Sequence, residues 1–237
     1  MGADRFNSFQ LIHQESDIWF GLSPEAKLES IKKFASKEMK ALRKKLDTYI
    51  NNKPLFSKTL EPIEFDHSAP GIINKMIIAS KKAGTGPMAT IAGTFSEYIG
   101  EKIIQHFKPE ELILENGGDN YLVINKPILT SIYAGNSPLS DKIALKVLPE
   151  HSPLGICTSA GSFGASRSFG KADAVVIAAK NTILADAWAT SLANKIKNKK
   201  DIAKIINQAE QNPEVLSCII IKDDKLAVNG KLEIELL

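Results

Sequence analysis

A long one-sided apolar stripe near the N-terminus limits what this chain can fold into more than any other feature. Leu28, Ile31, Ala35, Met39, Leu42, Leu46 and Ile50 recur at three- and four-residue steps, the spacing that places side chains on one face of an α-helix. The helix predicted from this stripe opens at Ser23-Pro24 and closes at Asn51-Asn52-Lys53-Pro54. Ser caps free amides, Pro suits the first helical position, and Glu25 favours the positive helix end. A helix with a single apolar face must lay that face on another layer. Strand-like sequence is plentiful. The stretch 9–20 reads as strand, broken by a turn at Glu15-Ser16-Asp17, and short strands follow at 112–114, 121–125, 131–134, 142–147, 154–158, 174–179, 216–222 and 232–236. Further helices are predicted over 88–107, 184–197 and 201–209, while 55–69, with Pro62 and then Pro70, reads as an irregular connection. Groups of strands separated by helices favour an α+β fold, with mixed or antiparallel sheets packed against helices, over a repeating βαβ sheet.

Composition narrows the class. Hydrophobic residues make up 43% of the 237 positions and charged residues 24%, which suits a globular chain with a proper core. One domain over 1–237 is expected, or two intertwined subdomains joined near 52–70. The net charge of +3 comes from two lysine-rich runs, 32–45 and 195–200. Without interleaved aromatic residues these read as solvated helix faces, and no nucleic-acid partner is expected. Cys157 and Cys218 have neither CxxC spacing nor a nearby histidine, so neither a zinc site nor a disulfide framework follows. Reduced cysteines, no signal-like start and no apolar run long enough for a bilayer together predict a cytoplasmic chain with no membrane partner.

Three segments combine glycine with small polar residues at strand ends, where backbone can approach a ligand closely. The first is Asn116-Gly117-Gly118-Asp119, which serves equally as a hairpin turn. The second begins at Thr158-Ser159-Ala160-Gly161-Ser162-Phe163-Gly164 and runs on through Ser166, Arg167 and Lys171 to Asp173. Its amides and hydroxyls can cradle phosphate, with Arg167 or Lys171 supplying charge. It is neither a Walker loop nor a Gly-x-Gly-x-x-Gly motif. In the third, Asp186 and Thr190 stand four apart on one helix, a partial shell for Mg²⁺. Electrostatic capping is the alternative role for Asp186.

In that order, the three segments resemble the ApbE-like superfamily, which contains the bacterial flavin transferases. Its members carry a small-residue helix, similar to 91–98 here, and then an Asn-x-Gly-Gly-Asp turn, similar to 116–119. A Thr-Ser-Gly loop follows, similar to 158–161, and last an Ala-Asp-Ala-x-x-Thr helix start, matched by 185–190. The segments Gly86-Pro87-Met88-Ala89, 134–140 and 168–174 look like an uncharacterised branch known from archaea and anaerobic bacteria. The resemblance implies a ligand pocket for FAD or FMN with Mg²⁺ on Asp186 and Thr190. Asn116, Gly117, Gly118, Asp119, Thr158, Ser159, Gly161, Ser162, Gly164 and Ser166 would bind the nucleotide, with Asp173 and Lys171 as catalytic groups. It implies a Mg-dependent protein that transfers FMN or splits FAD. The alternatives are a flavin- or nucleotide-binding protein without chemistry, or a factor in anaerobic sulfide assimilation with Cys157 at the mouth of the loop. This chain lacks the His-Ile-Ile-Asp-Pro segment of the transferases and has Ala165 where branch members often have histidine.

Overall fold

The computed structural model describes residues 5–161 and 169–237. Eight strands form the main sheet, and every neighbouring pair is antiparallel. In spatial order they are β1 (Asn7–His13), β2 (Ser16–Leu22), β3 (Leu112–Asn116), β4 (Asp119–Val123), β7 (Leu154–Ser159), β8 (Ala174–Ala179), β9 (Ser217–Lys222) and β10 (Lys225–Gly230). Between β4 and β7 the chain leaves the sheet to make β5 (Ile128–Ser131) and β6 (Ile143–Val147). β6 pairs with β5 on one side and with β11 (Ile234–Leu236) on the other in a separate three-stranded antiparallel sheet.

Strand alternation sorts the side chains into two cores. Phe20, Leu22, Leu112, Leu114 and Tyr121 point to the helical side, where the stripe of α1 (Leu28–Asn52) and the residues Phe95 and Ile99 of α4 (Ile91–Phe107) cover them. Ile113, Leu122, Ile156, Val176, Ile219 and Ile221 point the other way, against Ile128, Leu145 and Val147 of the small sheet. Each fully buried Leu, Ile or Phe contributes about 1.5–3 kcal/mol, so both faces of the main sheet carry substantial core. The remaining helices are α2 (Leu55–Lys58), α3 (Gly71–Ala83), α5 (Thr182–Lys195) and α6 (Asp201–Glu210). Among the described residues, no helix is long and apolar enough to cross a membrane.

Several boundaries differ from the sequence expectation for identifiable reasons. The stripe helix begins at Leu28, because Ser23 caps no helix. Its backbone N–H donates to Glu111 O at 3.2 Å, and its hydroxyl accepts the Glu111 N–H at 3.3 Å, which staples β2 to the strand beside it. In α3 the adjacent pairs Ile72-Ile73 and Ile77-Ile78 blur the helical period, and Pro70 reads as part of the preceding loop although it stands at the helix N-cap. In β10 the pattern of a half-exposed edge strand, with Leu226 and Val228 partly in solvent, gives little apolar alternation. The small sheet carries 128–131 as strand rather than 131–134, since Asp141 has positive φ and its amide turns back onto Ile132 O.

Candidate functional site

The small-residue run at the start of α4 controls how helices meet the sheet. A Cβ placed on Gly93 would stand 2.7 Å from Thr182 O and 2.9 Å from Asp186 Cβ, so α4 and α5 touch there through bare backbone. On Gly100 it would stand 2.3 Å from the Tyr121 ring of β4. Asn116 Nδ2 donates to Ala92 O at 3.1 Å and ties the end of β3 to the same helix start. With α4 held in this way, its first turn, the end of β4 and the first turns of α5 converge.

At that convergence lies a cleft of about 650 Å³, a size that suits a small molecule. Asp119, Asp186 and Thr190 line it, with Ala92, Met88 and Thr85 nearby on the wall. Both carboxylates are buried. Oδ2 of Asp186 accepts the Gly93 N–H at 2.9 Å, one of the free amides at a helix start. Among the described residues, Oδ1 of Asp119 has no hydrogen-bond partner. Burial is the largest cause pushing both carboxyl groups above the ordinary range; Asp119 is raised further by the charge of Asp186, while the Gly93 amide pulls Asp186 back down. Two neighbouring carboxylates that resist joint ionisation, one with an unsatisfied oxygen, form an environment that a cation relieves.

The sheet divides the other sequence-nominated residues. In β4, Asp119 faces the helices, while Asn120 faces the small sheet. On that second side Gly117, Gly118 and Thr158 line a separate cavity of about 420 Å³, together with Glu115 and Asn120. Gly117 and Gly118 both have positive φ and make the β3–β4 turn, closed by the Gly118 N–H on Glu115 Oε1 at 2.7 Å. Ser159 lies on β7 two residues beyond Cys157, on the helical side, and its buried Oγ has no partner among the described residues. Gly161 packs on backbone: a Cβ there would meet Gly170 O at 2.1 Å. Ser162, Gly164, Ser166 and Arg167 lie outside the described residues.

Asp173 and Lys171 do not line the cleft. Asp173 accepts the Asp223 N–H at 2.5 Å and approaches Lys222 at 3.6 Å, at the β9–β10 turn. None of the four histidines lines the cleft either; His106, for example, stacks on Phe34. Among the described residues no cluster of three or more His, Cys, Asp or Glu side chains forms a metal cage. The oxygen groups of Asp119, Asp186 and Thr190 on the cleft wall are of the kind that could hold a hard cation keeping water or phosphate in its shell. Cys157 is fully buried and donates to Thr182 O at 3.4 Å, and burial, with Asp119 and Asp186 beside it, pushes its thiol well up. A thiol held protonated is neither a good nucleophile nor a metal ligand.

Comparison with known proteins places these features in context. Residues 1–214 match the family described as AbpE bacteria. A UPF0280 protein of Methanocella arvoryzae is 38% identical over 191 residues, covering 81% of this chain and 77% of its own. Among solved structures, the apo flavinyl transferase ApbE of Pseudomonas stutzeri superposes with a TM-score of 0.61 at 12% identity, covering 95% of this chain and 94% of that one. The ApbE protein of Thermotoga maritima gives the same TM-score at 11% identity, over 95% and 96% of the two chains. At such identities the structural likeness establishes the fold.

Proposed function

The chain belongs to the family described as AbpE bacteria, and we propose that its cleft binds a flavin nucleotide through a divalent cation, most naturally Mg²⁺. Asp119, Asp186 and Thr190 would hold the cation, and the diphosphate of FAD would complete its shell. The observation that carries this reading is the buried Oδ1 of Asp119, without a hydrogen-bond partner among the described residues, in a cleft shared with the Asp186 carboxylate. A bound cation would satisfy that oxygen and cancel the repulsion between the two carboxylates. It would also act as a Lewis acid on a phosphoryl oxygen. The protein's own part is to fix two buried carboxylates on the cleft wall and to present Thr190 one turn beyond Asp186. The likeness to the flavinyl transferase of Pseudomonas stutzeri makes FAD the first nucleotide to test.

A second reading, binding without chemistry, is favoured by a specific observation. No histidine, and neither Asp173 nor Lys171, lines the cleft. A positioned base contributes roughly 10²–10⁴ in rate, and its absence from the described wall points to slow or no transfer. Incubation of the purified protein with FAD and Mg²⁺, followed by chromatography, separates the two. Release of AMP or FMN that disappears in Asp186→Ala supports the enzyme; tight cation-dependent binding with FAD recovered intact supports the binding protein.

A further inference from the structure

The helices α4 and α5 cross antiparallel, and each holds the N-terminus of the other. In one direction Asp186 of α5 accepts the Gly93 amide from the first turn of α4 at 2.9 Å. In the other, Glu97, one turn further along α4, reaches the start of α5. One of its carboxylate oxygens accepts the Thr182 N–H at 2.5 Å, and the other accepts Nδ2 of Asn181 at 2.8 Å. Asn181 is the N-cap of α5, its own Oδ1 accepting the Leu184 N–H at 2.8 Å. Glu97 is only 3% exposed. A buried carboxylate of this kind carries a desolvation cost, offset here by charge-assisted bonds to a helix N-terminus.

The crossing itself is made by close backbone contacts. The contact between Gly93 and Thr182 is backbone on backbone, and β7 meets the same turn of α5 through Gly155, where a Cβ would stand 2.4 Å from Thr182 Cα. Smooth glycine contacts permit close approach but do not interlock. A shift of α5 by one residue moves it about 1.5 Å and turns it about 100°, which would take Asp186 off Gly93 and out of reach of Asp119. The polar ties at the helix start oppose that shift together with the buried side chains of α5, among them Ile183, Ala185 and Leu192.

We propose that Glu97 is a positioning residue for the cation-binding carboxylate: by gripping the N-terminus of α5 it sets the register that places Asp186 on Gly93 and beside Asp119. This rests on the reading of the cleft as a divalent-cation site. Two readouts separate positioning from simple stabilisation: Mn²⁺ affinity by electron paramagnetic resonance, and hydrogen-exchange protection of the Gly93 amide. Glu97→Gln puts an amide group where one of the two donors points. It is expected to weaken Mn²⁺ binding about tenfold or more, the usual effect of losing an outer-shell support, and to lower Gly93 protection. The control Ile205→Val, a mild core change on α6, should alter neither. Mn²⁺ affinity within twofold of the unsubstituted chain, with Gly93 still protected, overturns the proposal. Should Glu97→Gln not fold, Asn181→Ser keeps an N-cap hydroxyl, removes the bridge to Glu97 and carries the same expectations in milder form. If the unsubstituted chain binds no Mn²⁺, the cation reading fails, and Gly93 protection retained in the Glu97 variant then overturns the positioning role separately.

Discussion

Asp119 and Asp186 are held together at a cost, and that cost has a sign in pH. Burial raises both carboxyl groups, Asp186 to about 7. The folded chain therefore holds more protons than the unfolded chain between the ordinary Asp value of about 4 and that raised value. Stability contributed by the protonated pair is complete below about pH 4 and is lost as pH climbs through 7. Carboxylates with lowered values, such as the half-buried Asp66, held at about 2 by hydrogen bonds from Ser68 and Tyr49, act oppositely and only at the acid end. Cation-free protein is thus expected to melt at lower temperature at about pH 8 than at about pH 5.5, and added Mg²⁺ should raise the melting temperature more at the higher pH. Asp119→Asn removes one charge and should stabilise the cation-free protein at pH 8 by roughly 0.5–2 kcal/mol while abolishing most of the Mg²⁺ effect. Urea titrations with EDTA and with Mg²⁺ measure both changes. A variant less stable than the unsubstituted chain under EDTA would contradict the description of the pair as mutually repulsive.

The contact of α4 with α5 turns these residues into a site, and it hangs on one glycine. Gly93→Ala places a methyl carbon 2.7 Å from Thr182 O and 2.9 Å from Asp186 Cβ, both in rigid helix. Overpacking of this kind costs about 1–3 kcal/mol, and here it also moves Asp186. Loss of Mg²⁺ binding beyond that of an equally destabilised core variant is the expected result, checked by calorimetric titration beside the Ile205→Val control. Sequence reading goes far at this level. The run of Ala89, Ala92, Gly93 and Gly100 signals close backbone approach, and the spacing of Asp186 and Thr190 marks one helix face. Neither signal says what approaches: Gly93 meets a helix and Gly100 an aromatic ring. Glu97 gives no signal at all, since a lone Glu in a helix ordinarily faces water. Its burial depends on where α5 begins, a tertiary fact that local pattern does not contain. The division of Gly118 from Asp119 onto opposite sides of the sheet is likewise set by strand register.

Across the molecule, the antiparallel eight-stranded sheet acts as a partition with a helical layer on one side and a small sheet on the other. The α+β class is legible in the sequence because its long stripe and short strands need each other. The detachment of β5 and β6, which creates the second cavity, depends on pairings with β11 from the far end of the chain. Long-range ties close the architecture in other places as well. Arg5 holds Glu111 through two bonds, at 2.6 and 3.0 Å, and also donates to the carbonyls of Lys126 and Pro127. These ties fix the start of β3 and the end of β4, remote from the 116–119 turn, while the Asn116 bond to Ala92 and the Gly93 contact hold the turn and the helices at the cleft. The most direct test of that cleft is calorimetric titration of FAD into the protein with Mg²⁺, repeated with EDTA and with Asp186→Ala. Saturable one-to-one binding that needs Mg²⁺ and fails in the variant is the predicted result. FAD binding of equal strength in EDTA, or unchanged in Asp186→Ala, would contradict it.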